Sequence, residues 1–324
     1  MFASKAGETK MLNTTMIAGI DAAKKKLDIA VPATKETWTV ENDLAGWNRL
    51  TKRLRALGVT CAAIEASGGY ERGVTAYLRA AAIAVLLLQP KQVKDFARAT
   101  LRRAKNDGLD AMLIAECATV TGILREPPDT RFQPLAGQLT FVEQIDEDLV
   151  RFKTRLEHTC DTRQRRMIEA DIKKLERRRK TEIGHLVQQI RVYPDLARRL
   201  ELVMSIPGLG ERTALTLIIR MPELGSITRE QAAALAGLAP FDDDSGMRSG
   251  ARRIAGGRGR VRKALFAATL PAAFRWNKAL VDLYQRHKAR GKPHKSALVA
   301  CARKLLIFAN AVLERDAPWV EARP

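Results

Sequence analysis

Apolar positions in the first 125 residues fall into short blocks divided by polar turns, and the period of each block sets the element expected there. Met16 to Asp21 (MIAGID) reads as a short strand, Leu27 to Val31 (LDIAV) as a second after a Lys24-Lys25-Lys26 turn, and Thr37 to Val40 as a third. Three strands in succession with short links predict an antiparallel meander. Asp43 then caps a helix in which Leu44, Trp47, Leu50, Leu54 and Leu57 recur at helical spacing, and Gly58 ends it. Thr60 to Glu65 (TCAAIE) has the continuous apolar run of a buried strand. Gly69 to Ala81 is expected to be helical, Ile83 to Leu88 to be a further core strand, and Pro90 to open another helix. Beyond these, from about Gln138 to Arg191, the chain turns charge-dense with few breakers. Phe141, Ile145, Leu149, Phe152 and Leu156 repeat every three or four positions there, which predicts a helical hairpin or coiled coil, since the stripe must bury against something.

The order βββαβαβα, with three antiparallel strands and later strands joined by helical crossovers, is what a ribonuclease-H-like α/β fold requires. The expected organisation is a flexible N-terminus at 1–15, an α/β domain at 16–125, a helical linker at 126–200 and a mainly helical C-terminal domain at 201–324. No apolar run was expected to approach the roughly 20 residues that span a bilayer, the longest being Ala80 to Leu88. The opening MFASKAGETKMLNTT lacks the apolar core of a signal peptide. Cys61, Cys117, Cys160 and Cys301 lie far apart with no CxxC pair, so neither a zinc site nor a disulfide framework is expected. A reducing, cytoplasmic setting with no membrane partner follows as the expectation.

Charge narrows the function. The 324 residues carry 56 Lys plus Arg against 36 Asp plus Glu, a formal net charge of +20, which makes a polyanionic partner, nucleic acid first, the default. Residues 201–324 hold 21 of those cations against 11 acids, so the C-terminal part is the expected nucleic-acid face.

Three constellations could carry chemistry. Asp21 closes the first strand and Glu65 the fourth, while Asp107 and Asp110, three apart, share one face of a helix running on through Leu113, Ile114 and Cys117. In the expected fold the four carboxylates converge, and such a cluster needs cations to stay ionised; oxygen donors favour Mg²⁺ or Mn²⁺. Read singly, each is one surface acid among many. Ser205-Ile206-Pro207-Gly208-Leu209-Gly210 precedes a helix, so its backbone N–H groups could face a phosphate, as in a helix-hairpin-helix element; a tight turn between packed helices is the other reading, with Gly208 and Gly210 in the same places. Finally, GLAPFDDDSG leads into MRSGARRIAGGRGRVRK, where Arg248, Arg252, Arg253, Arg258, Arg260, Arg262 and Lys263 alternate with glycines as in a flexible arm that follows phosphates. Ser245 stands at the acidic-to-basic boundary, where the residues alone favour an ordinary loop serine over a nucleophile. The four histidines show no metal-ligand spacing.

Asp21 in GIDAAKKKLDIAV, Glu65 in IEASGGYE, Asp107 and Asp110 in KNDGLDA, the IPGLG turn and GLAPFDDDSG with its Gly/Arg sequel resemble, in order and spacing, the DEDD transposases of the insertion-sequence 110 family, which includes Piv-type DNA invertases. The resemblance runs from about residue 16 to 310. It implies a bacterial transposase with a RuvC-like domain, a coiled-coil linker and a C-terminal transposase domain. Asp21, Glu65, Asp107 and Asp110 would hold Mg²⁺, and Ser245, five residues after Pro240, would be the nucleophile of strand exchange. Ser249 is the competing serine, and the acidic run Asp242 to Asp244 departs from what a phosphate site calls for. Donor and target DNA, a structured bridge RNA and a second copy of the chain are the implied partners. A stand-alone junction-resolving nuclease, or a non-catalytic nucleic-acid-binding protein, are the alternatives from other classes.

Overall fold

The computed structural model describes residues 16–66, 68–101, 107–121, 129–241 and 253–320, and the chain divides into two compact units, Met1–Pro128 and Asp129–Pro324. In the first, β1 (Ile17–Ala22), β2 (Lys26–Val31) and β3 (Glu36–Glu41) form the antiparallel meander. α1 (Leu44–Ala56) follows, with the Asp43 carboxylate accepting from the Gly46 N–H at 2.8 Å, and Gly58 leaves the helix at φ 70°. β4 (Cys61–Glu65), α2 (Arg72–Ala80), β5 (Ala84–Leu88) and α3 (Pro90–Ala99) alternate thereafter, and α4 (Asp107–Thr121) closes the unit. The sheet order is β3-β2-β1-β4-β5, with β4 parallel to both β1 and β5.

Strand alternation sorts the sheet residues into two cores. Ala18, Ile20, Leu27, Ile29 and Ile64 pack against Leu50 and Leu54 of α1 and Val74 and Leu78 of α2. On the opposite face Ile17, Cys61 and Ala63 meet Val93 of α3 and Leu113, Ile114 and Cys117 of α4. Gly19 lies on that second face, where a Cβ would stand 1.9 Å from the Ala111 carbonyl oxygen. Only a residue without a side chain lets α4 settle directly onto β1. Gly19→Ala is therefore expected to cost about 1–3 kcal/mol, read as a lower melting temperature of the intact chain.

The second unit begins with an antiparallel hairpin of two long helices, α5 (Phe132–His158) and α6 (Thr162–Arg191), with the Asp161 carboxylate accepting from the Gln164 N–H at 2.8 Å as α6 starts. Ile145, Leu149 and Ile172 form a small core along it, with Phe152 and Leu156 partly buried beside them. Phe141, expected on the same stripe, is exposed; Val142 takes the buried place and the Arg178 guanidinium lies over the Phe141 ring. At the base of the hairpin Leu135, Leu139, Leu186 and Ile190 join the large core of a helical body. That body comprises α7 (Pro194–Met204), α8 (Glu211–Arg220), α9 (Arg229–Leu235), the short antiparallel pair β6 (Pro240–Phe241) and β7 (Arg253–Ile254), α10 (Gly259–Pro271), a π-helical turn at Ala272–Trp276, α11 (Lys278–Ala289) and α12 (His294–Glu314). By length and mean hydropathy α12 could cross a membrane, a feature the reading of apolar runs passed over. Its Leu298, Cys301, Leu305, Leu306 and Val312 are instead buried in the core of the second unit.

All four cysteines are free thiols, with Cys61, Cys117 and Cys301 buried and Cys160, in the turn between α5 and α6, exposed.

Candidate nucleic-acid-processing site

Register places the first carboxylates. Ile20 pairs with Ile64 across the parallel β1–β4 ladder, so Asp21 and Glu65, one residue on, stand side by side where the strands end. Both share strand parity with Gly19 and Ala63, and so belong to the face covered by α4. The close seat of α4 on Gly19 brings Asp110, next to Ala111, to the same place. Burial, and after it the negative charges of Asp21 and then Asp110, hold the Glu65 carboxyl above the usual carboxylate range. Asp107 is the first residue of α4, and its side chain lies outside the described residues.

A further acid on this face escaped the sequence reading. Asp28 pairs with Asp21 across the antiparallel β1–β2 ladder and is buried; it accepts the Thr39 hydroxyl at 2.7 Å and pairs with the Lys26 ammonium at 3.0 Å. Its signal was present, an acid at the inward-facing middle of the apolar run LDIAV. The donors gathered here are carboxylate oxygens, the chemistry of a hard divalent cation, and the repulsion felt by Glu65 is what such a cation relieves. Among the described residues no group of three or more His, Cys, Asp or Glu is drawn close enough to hold a metal by itself. The donor types fit such an ion, and the Asp107 carboxylate is the remaining expected ligand.

In the second unit the IPGLG segment is the connection from α7 to α8. Gly208, at φ 101°, is pressed against the π-helical turn, where a Cβ would meet the Ala272 Cβ at 2.3 Å, and the Asn277 side-chain amide donates to the Pro207 carbonyl at 3.1 Å. Gly210 is the N-cap of α8 and has open space where a side chain would project.

The Gly/Arg-rich run is not a single extended arm. From Gly259 it is α10, because Gly257 packs against the backbone of Gly237 and the Arg258 N–H donates to the Leu235 carbonyl at 2.7 Å. Several of its cations have internal partners. Arg258 donates to the Arg220 carbonyl at 2.7 Å and pairs with Glu223, Arg260 pairs with Glu143 of α5, and Arg262 donates to the Gly256 carbonyl at 2.7 Å. Glu143 also receives Arg220 at 2.7 Å, and Asp146, one helical turn on, receives Arg179 at 3.3 Å and Arg212. Lys263 is exposed near the start of α10. Arg253 opens β7 with its side chain outside the described residues, and Ser245, Ser249, Arg248 and Arg252 lie in 242–252, also outside them.

Comparison with known proteins accords with this arrangement. A transposase family model of the DEDD IS110 type matches residues 18–162, and the model of the IS116/IS110/IS902 transposase family matches 200–285. The chain is similar to the pilin gene-inverting proteins of Moraxella lacunata and Moraxella bovis, each 27% identical over 320 residues, or 93% of this chain and 96% of theirs. It is also similar to an insertion element IS110 protein of 43.6 kDa from Streptomyces coelicolor, 35% identical over 121 residues, which are 37% of this chain and 29% of that protein. An α/β unit with acids at the ends of adjacent parallel strands, followed by a helical unit, and both family models in that same order place this chain in the IS110 family of transposases, enzymes of DNA strand cleavage and exchange.

Proposed function

We propose that the chain mobilises or inverts a DNA segment by metal-dependent strand cleavage and exchange in which a serine is the nucleophile. The observation that carries this reading is the placement of Asp21, Glu65 and Asp110 on one face at the ends of β1 and β4. Asp21, Glu65, Asp107 and Asp110 would hold Mg²⁺. Held there, the ion would supply Lewis-acid activation of a nucleophile and charge stabilisation for the departing oxygen of a phosphodiester. The protein's own part is positional: the β1–β4 register fixes the spacing of Asp21 and Glu65, and the bare backbone of Gly19 fixes the height of α4 above them.

Ser245 supplies the second part. Its Oγ–phosphorus bond forms as the bond from phosphorus to the departing sugar oxygen breaks, with the hydroxyl proton ending on that oxygen. The ester so formed keeps the energy of the broken phosphodiester, and attack by another strand's sugar hydroxyl returns the serine and joins the strands. The α5–α6 hairpin acts as a coiled-coil linker that brings a second copy of the chain, and α7–IPGLG–α8 as a helix-hairpin-helix element on the DNA backbone. A bridge RNA pairing with donor and target DNA is the implied guide.

The test is product analysis with element-end DNA, guide RNA and Mg²⁺. Joined strands support the proposal, nicked ends alone support a resolving nuclease, and retardation without new ends supports a binding protein. Chelation of divalent ions is expected to abolish cleavage and to leave retardation in place.

DNA binding is expected to weaken by orders of magnitude between about 50 and 200 mM salt if some six phosphates are neutralised. Replacing Arg252 and Arg253 by Ala should flatten that slope. Arg258→Ala, which removes partners from Glu223 and the Arg220 carbonyl, is instead expected to cost about 1–3 kcal/mol of stability, visible in denaturant unfolding.

A further inference from the structure

A second concave site lies in the helical unit, where the first turns of α12 face the β6–β7 pair. It is an open cleft of about 600 Å³. Its floor is aliphatic, made by Leu238, Ile254, Val299 and Ala300, and its rim is cationic, made by Lys292, Lys295 and Arg303. Among the described residues no acid lines it. Among the described residues none of these three cations is in an ion pair, whereas Arg212, Arg220, Arg258 and Arg260 of the same unit all are. Lys292 also acts on His287, whose imidazole is held below its ordinary value first by burial and then by the charges of Lys292, Arg290 and Arg286. Among the described residues, then, the cleft offers three cations and no carboxylate, the charge an anionic ligand would complement.

We infer that this cleft seats one unstacked nucleotide of a single strand, its base on the aliphatic floor and its phosphate on Lys295 and Arg303. The floor is apolar where a base needs a π-face covered, and the rim supplies charge where the phosphates run. Polar edges come from the Ser296 hydroxyl, exposed at the mouth. A duplex cannot offer this cleft a base without extruding it. The position matters for the reaction, because β6 and β7 are the two chain ends from which residues 242–252, with Ser245, depart. A nucleotide held here would fix the register of the strand on which that segment acts. The inference rests on the nucleic-acid reading above, but not on the carboxylate site or on Ser245.

The experiment is fluorescence anisotropy of the full chain with a labelled single-stranded oligonucleotide and, separately, the matching duplex, with a chelator present so that no cleavage intervenes. Ser296→Trp fills the mouth without changing charge, Lys295→Ala with Arg303→Ala removes the rim, and Lys304→Ala removes an exposed cation of the same helix outside the cleft. Ser296→Trp and the double variant should each weaken single-strand binding about tenfold, the scale of one lost base contact. Duplex binding by Ser296→Trp and single-strand binding by Lys304→Ala should stay within about twofold of the unaltered chain, as should the melting temperatures. Ser296→Trp and the double variant both binding like Lys304→Ala would overturn the inference alone. Equal loss for duplex and single strand with Ser296→Trp would make the cleft a backbone seat and overturn the nucleotide. No binding by the unaltered chain to either probe would overturn this inference and the proposed function together.

Discussion

Asp21→Asn and Glu65→Gln are each expected to lower DNA cleavage by more than about a hundredfold, the scale of several kcal/mol of lost charge stabilisation, while folding and retardation of DNA persist. Each substitution keeps the side chain's volume and removes its charge from the proposed cage. The two need not behave alike in stability. Glu65 is raised by burial and by two neighbouring acids, so neutralising it relieves repulsion in the metal-free chain. Glu65→Gln should melt no lower than the unaltered chain without metal, and it should lose any stabilisation that Mg²⁺ confers. Cleavage at the unaltered rate by either variant would remove the carboxylate site from the mechanism.

Ser245→Ala is expected to block strand exchange altogether, with no joined product above background. A recombinase that rejoins strands without an energy-supplying cofactor must store the phosphodiester's energy, and a serine ester stores it where a water-cleaved end does not. The measurement is denaturation of a reaction with element-end DNA, guide RNA and Mg²⁺, followed by mass spectrometry of the protein. An adduct on Ser245 is the expected result, and one on Ser249 would move the nucleophile by four positions. Full recombination by Ser245→Ala would leave only the metal-dependent cleavage.

The α/β half of the fold was legible because its signals are local. Alternation and short apolar runs marked all five strands of the large sheet to within a residue or two, and Asp43, Gly58 and Pro90 punctuate the helices as their chemistry requires. The shared face of Asp21, Glu65 and Asp110 could be read for the same reason, from strand-terminal acids and helix spacing. Asp28 was passed over although its position carried a signal, because an acid inside an apolar run reads as an interruption until a partner such as Thr39 is known. The fates of the arginines were hidden more deeply. A count of cations cannot foresee that Arg260 meets Glu143, since that pairing depends on the packing of α10 beside α5. The same blindness put Phe141 on the buried stripe: the repeat allows either Phe141 or Val142, and only the angle at which α5 docks chooses Val142.

The hairpin brings its own spectroscopic handle. Cys160 is exposed in the turn at its far end, whereas Cys117 is buried and burial pushes the Cys61 and Cys301 thiols up to about 11, where few thiolates form at neutral pH. A maleimide dye should therefore mark that one turn of the unmutated protein. Since α6 alone has 30 residues, about 45 Å of helix, the label rides at the end of a long arm. Energy transfer between donor- and acceptor-labelled copies would report whether two such arms meet, and whether DNA draws them together, without altering a single residue.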